Sequence, residues 1–76
     1  MVRTKLIKFR GNRSQAVMAG IYGVTQQVWS KWETGKSTPS AIMMKKIEMD
    51  SGVPMEKIFF DIFNSKELLK RNKATA

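Results

Sequence analysis

Apolar residues fall into short clusters separated by glycine or proline, and within the clusters they recur at helical rather than strand spacing. Breaks at Gly11-Asn12, Gly23, Gly35, Thr38-Pro39 and Gly52-Val53-Pro54 leave pieces of roughly 8 to 12 residues, ordinary for short helices. The first piece, residues 2–10, sets Leu6, Ile7 and Phe9 among Arg3, Lys5, Lys8 and Arg10; a short helix with a basic outer face is expected. The second opens on Ser14, a good N-cap, and carries Met18, Ala19 and Tyr22 on one face with Val17 and Ile21 beside them. Gly23 is suited to end it in the left-handed conformation. The third opens on Thr25, places Val28, Trp29 and Trp32 at i, i+1, i+4, and closes at Gly35. In the fourth, Pro39 pushes Thr38 out of the helical region, Ser40 caps, and Ala41, Met44 and Ile47 form a stripe that ends at Gly52. A last helix, residues 55–60, turns Ile58 and Phe59 inward.

Beyond Asp61 the pattern weakens. Ile62 and Phe63 are apolar, residues 65–70 can add a turn or two, and residues 72–76 are expected to fray. The expectation is all-α: a compact bundle of about five short helices with a short extra helix at the C-terminal end. Residues 1–60 make one domain and residues 61–76 an extension, with a dimer contact as its expected role.

Only Gly23-Val24-Thr25 joins the second and third helices. So tight a link turns one helix sharply against the other, which is the helix-turn-helix unit, two helices at about 90–120°. Charge then narrows the partner. Fourteen Lys and Arg against six Asp and Glu give a net +8 over 76 residues, a field that favours nucleic acid first and an acidic membrane second. No apolar run approaches the roughly 20 residues of a membrane span, no signal peptide is visible, and a cytoplasmic protein is expected. The chain has no Cys and no His, which removes disulfides, thiolate metal sites and the commonest general base. Neither an enzyme nor a cofactor is expected.

The third helix carries the candidate chemistry. With Trp29 and Trp32 turned to the core rather than used as stacking platforms, Gln27 and Lys31 form one exposed row and Gln26 and Ser30 its neighbour. A glutamine amide can bond adenine N6 and N7 together, and a lysine suits guanine or a phosphate. Thr25 can cap its helix and lay its methyl near a thymine. Phosphate contacts are expected from Ser14 and Gln15 at one helix start and from Lys36, Ser37 and Thr38 in the loop after the reading helix. Glu33 lies among cations, and Lys8 is its expected ion-pair partner. No N–H acceptor for the indoles is apparent.

In the order in which these elements stand, "SQAVMAGIYGVTQQVWSKWETGKSTPS" (residues 14–40) and "SGVPMEKIF" (residues 51–59) resemble the phage-repressor and Cro type of helix-turn-helix domain, often called XRE-like. The resemblance covers about residues 3 to 60. It implies a five-helix bundle that binds a double-stranded DNA operator, as a homodimer on a palindromic site, with no small-molecule cofactor. Carried over by position, Gln26, Gln27 and Lys31 read bases. Gln15 touches a phosphate and braces Gln26, Thr25 touches the backbone or a methyl, and Lys36 and Ser37 hold phosphates. Lys8 and Glu33 stand as the family's structural ion pair, with Lys for the more usual Arg. Arg13 departs from a common leucine, Gly20 weakens its helix, Glu48 replaces a small apolar residue, and Ala16 and Val17 are less polar than usual. The competing reading is a protein-interaction module, or the antitoxin of a toxin pair, working through Phe60, Ile62, Phe63, Leu68 and Leu69.

Overall fold

Three hydroxyl side chains set where the central helices begin. Ser14 Oγ accepts the Val17 N–H at 3.0 Å, Thr25 Oγ1 that of Val28 at 3.2 Å, and Ser40 Oγ that of Met43 at 3.2 Å. Each takes up an amide that a first helical turn leaves without an intrahelical partner. The computed structural model describes residues 1–63, and these caps open α2 (Gln15–Tyr22), α3 (Gln26–Thr34) and α4 (Ala41–Ser51). Before them runs α1 (Thr4–Arg10); after them come single turns, α5 (Met55–Ile58) and α6 (Phe60–Phe63). No strand occurs among the described residues, and none of their helices is long and apolar enough to cross a membrane. Among the described residues the expected five helices are present, and α6 adds a sixth. The last expected helix is split because Phe59 leaves helical geometry (φ −105°, ψ 46°) before the chain restarts. The turns expected over residues 65–70, Leu68 and Leu69, and the fraying end lie outside the described residues.

The turn between α2 and α3 is closed by backbone geometry. Gly23 takes φ 68° and ψ 30°, its N–H donates to the Gly20 carbonyl, and the Val24 N–H donates to that of Ala19 at 2.9 Å. This double closure uses two of the last carbonyls of α2, and its left-handed corner disfavours any residue with a Cβ. The next residue but one is already the cap of α3, so the two helices meet across buried Met18, Ala19, Tyr22, Trp29 and Trp32.

Those residues join Leu6, Met44, Ile47, Ile58 and Phe59 in one core. Its centre is aromatic. Tyr22 stacks on Trp29 with centroids 5.5 Å apart, Trp32 tilts against Trp29 at 5.6 Å, and Phe9 meets Tyr22 edge-on at 6.5 Å. Burial of each large side chain contributes about 1.5–3 kcal/mol, and a well-placed ring pair a further ~1 kcal/mol. The Tyr22 hydroxyl donates to Asp50 Oδ2 at 2.8 Å, tying α2 to the end of α4; burial, reinforced by that carboxylate, pushes the phenol well above its ordinary range. Val17 and Ile21, expected beside the core face of α2, are instead half exposed, and Ala41 is exposed at the head of α4.

Two departures from the family pattern have local uses. Arg13 lies over the Phe9 ring, 5.3 Å from its centroid, and donates to the Phe9 carbonyl at 2.8 Å and the Arg10 carbonyl at 3.2 Å. It therefore covers the aromatic corner as a leucine would and also satisfies the end of α1. Glu48 accepts the Met55 N–H on Oε2 at 2.8 Å, which caps α5 from another helix, and takes Lys45 on Oε1 at 2.6 Å. Pro54, the preceding residue, offers no side-chain cap, so the carboxylate from α4 supplies it.

Candidate nucleic-acid interface

The outer face of α3 follows from what its inner face buries. Trp29 and Trp32 are 0% and 5% exposed, which fixes the rotation of the helix. At about 100° per residue, Gln26, Gln27 and Lys31 must then face away, and all three are exposed. With Gln15, Ser30, Thr34 and Lys36 they line one open concavity. The structure thus brings together the base-reading candidates, one phosphate candidate from α2 and one from the loop after α3. Ser14, Thr25, Ser37 and Thr38 stand outside that concavity. Ser14 and Thr25 have lone pairs spent on capping but keep their hydroxyl protons to donate.

Behind this face lies Glu33, a carboxylate 2% exposed. Its Oε2 accepts the Trp29 indole N–H at 2.6 Å and the Arg10 Nε–H at 2.6 Å; its Oε1 accepts Gln15 Nε2–H at 2.9 Å and Arg10 Nη2–H at 3.4 Å. Here is the acceptor for the indole that the sequence alone did not disclose, one turn further along the same helix. The ion pair expected between Lys8 and Glu33 is corrected: the cation is Arg10, and Lys8 is exposed. Two helical positions separate them, so when Arg10 faces α3 Lys8 points roughly 200° away. Arg10 also has the bidentate fork that a lysine lacks. Burial alone would raise the Glu33 carboxyl, but hydrogen bonds from Arg10, Gln15 and Trp29 outweigh it and hold the group below its ordinary range. The brace expected from Gln15 to Gln26 is not the contact made: Gln15 Nε2 donates to Glu33 Oε1, which leaves its second N–H and its amide oxygen for other partners.

A second buried charge was missed by sequence reading. Arg3, expected on the basic outer face of α1, is 3% exposed. Its backbone N–H donates to the Glu33 carbonyl at 2.7 Å, its Nη1 donates to the Trp32 carbonyl at 2.9 Å, and the Met1 amino group reaches the Thr34 carbonyl at 3.5 Å. Three successive carbonyls at the end of α3 are thereby met by the N-terminal segment. Gly35 allows the approach: it has φ 77°, and a Cβ there would collide with the Met1 carbonyl. Arg3, the residue just before α1, stands with Leu6 and Arg10 at i, i+3, i+7, which puts an arginine on each side of a fully buried leucine. That spacing was the available signal; counting only apolar residues concealed it.

Two short helices at a tight glycine corner, the second buried by its aromatics and exposing amides and a lysine, make this a helix-turn-helix protein. A family model described as helix-turn-helix matches residues 5–58. The chain belongs to that DNA-binding family, in its XRE, Cro and C1 type. No curated protein and no solved structure matches it.

Proposed function

We propose that the protein is a sequence-specific transcriptional regulator of the Cro or repressor kind, binding operator DNA as a homodimer and reading the major groove with α3. Gln26, Gln27 and Lys31 contact base edges; Ser14, Gln15, Thr25, Lys36, Ser37 and Thr38 contact the backbone. The observation that carries this reading is the shared exposure of Gln26, Gln27 and Lys31 on one face of a helix locked in rotation by Trp29 and Trp32. Glutamine amides and a cation on the leading edge of such a helix suit base edges flanked by phosphates. The net +8 supports the same reading, since cation release makes binding salt-dependent.

Selection of bound sites from random duplex DNA tests it most directly. A palindromic consensus is expected, with binding that falls along a log–log salt slope near −5 if about 6 phosphates are neutralised per chain. Gln27→Ala should relax choice at one base position at a loss of about 1–3 kcal/mol on the best site, whereas Lys36→Ala should weaken all sequences alike. Equal losses on every sequence from both substitutions would remove the assignment of readers. A role as a protein-interaction module draws support from the 52% and 38% exposure of Phe60 and Ile62. Sedimentation of the chain truncated after Asp61 distinguishes a dimer contact from a surface for another protein.

A further inference from the structure

The N–H groups of the Arg3 guanidinium are all engaged. Nε donates to Asp61 Oδ1 at 2.9 Å and Nη2 to Asp61 Oδ2 at 3.0 Å, a two-pronged pair between the start of α1 and α6. Nη1 donates to the carbonyls of Trp32 at 2.9 Å and Ser37 at 2.7 Å, and Nη2 also donates to Thr38 Oγ1 at 3.0 Å. The remaining face of the cation lies 5.1 Å from the centre of the Phe59 ring. A guanidinium has five N–H donors in a rigid plane, and here each has an acceptor. Three of those acceptors belong to the end of α3 and to residues 37–38, the segment that carries the phosphate candidates.

We propose that Arg3 is a positioning residue for DNA-backbone contact. It fixes the loop of residues 36–38 against the C-terminal end of α3, and Asp61 fixes Arg3. The inference rests on the regulator reading above and adds a dependence that reading does not contain: a side chain on α6, away from the concavity, sets affinity for the phosphate backbone. The loop has few other restraints. The Lys36 and Ser37 N–H groups both converge on the Lys31 carbonyl, at 3.0 and 3.3 Å, which closes α3 but leaves the direction of the following chain open. The Ser37 carbonyl and the Thr38 hydroxyl give it that direction through Arg3. Positive charge at this point also suits the negative end of the α3 dipole. With the loop held, Lys36 and the Ser37 and Thr38 hydroxyls keep one spacing relative to Gln27 and Lys31, and no ordering is required when a phosphate arrives. A lysine at position 3 could not replace the arginine, because three donors on one nitrogen cannot span a carboxylate, two carbonyls and a hydroxyl.

Arg3→Ala would strand the Asp61 carboxylate and several loop acceptors and could unfold the chain, so the decisive variant is Asp61→Asn in the full chain. It keeps the size of the side chain and removes the charge that holds Arg3. Duplex DNA carrying the selected site and a scrambled duplex serve as probes, over a series of salt concentrations, at a temperature where circular dichroism gives the wild-type helical signal for the variant. The expected result is about tenfold weaker binding to both duplexes, an unchanged ratio between them and a salt slope shallower by about 1. Amide hydrogen exchange at residues 36–38 should quicken in the variant without DNA. A folded variant with wild-type affinity and slope, or with a changed ratio between the duplexes, overturns the proposal and leaves the regulator reading standing. A wild-type chain that does not distinguish the two duplexes overturns that reading, and this proposal with it.

Discussion

Glu33 and Arg3 are both buried among the described residues, 2% and 3% exposed, yet their partners differ in kind. Glu33 is surrounded by side chains: Arg10 from α1, Gln15 from α2 and Trp29 from its own helix. Arg3 meets one carboxylate, one hydroxyl and two backbone carbonyls, and its own N–H meets another carbonyl of α3. The first centre sets the mutual angle of three helices. The second binds the N-terminal segment, α6 and a loop to the C-terminal end of α3. A buried charge is expensive unless it is paired and fully hydrogen-bonded, and both meet that condition. The contrast teaches that one type of solution can serve two purposes: a lock between regular elements needs particular side chains, while a lock on irregular chain can use the carbonyls that any sequence provides.

The largest expected effect comes from Glu33→Ala. It leaves the Arg10 cation, the Trp29 N–H and the Gln15 amide without their acceptor, and should destabilise the fold by about 3–5 kcal/mol in urea unfolding. A loss under about 1 kcal/mol would mean that the helices keep their angles without this centre. Acid should act on both centres together. Glu33 is held below its ordinary 4.5 and Asp61 below its ordinary 3.8, so the unfolded chain binds more protons than the folded one in that range. Their stabilisation is complete above about pH 5 and is lost as pH falls through the lower folded values. Thermal unfolding from pH 7 to pH 3 should follow that course, and Glu33→Gln should flatten its upper part; an unaltered profile would remove Glu33 from the account.

Smaller effects test the outlying positions. Gly20 is exposed on α2, lacks the positive φ of the cap glycines and has nothing within 4 Å of where a Cβ would stand. Gly20→Ala should therefore raise stability by about 0.5–1 kcal/mol, and a loss would imply contacts absent from this fold. Lys8→Ala should change unfolding by less than about 0.5 kcal/mol, because Arg10 and not Lys8 reaches Glu33. A drop comparable to that of Glu33→Ala would restore Lys8 to the ion pair.

Much of the fold was legible because short-range chemistry decided it. Ser14, Thr25 and Ser40 cap the helices they were expected to cap, and the bounds of α2 and the closing glycines of α3 and α4 follow. The inward turn of Trp29 and Trp32 was equally readable, since two indoles on one stripe of a short helix must be covered by its neighbours. Less was readable on α1, where the buried face begins and ends with arginine and the apolar count gives no clean period. Arg13 and Glu48 were visible as departures, but not as the caps they are, because each acts on backbone groups that carry no residue label.

The order of residues was enough for the helices, their caps, the glycine corner and the outward row of Gln26, Gln27 and Lys31, all of which depend on neighbours within a few positions. Which cation meets Glu33, what accepts the Trp29 N–H and where Arg3 goes depended on the folded arrangement. These contacts join residues as far as 58 positions apart, and several end on main-chain oxygens identical in every residue. Only the packing of α1, α3 and α6 brings the acceptors to one place, so the choice among many basic side chains was made by geometry in three dimensions.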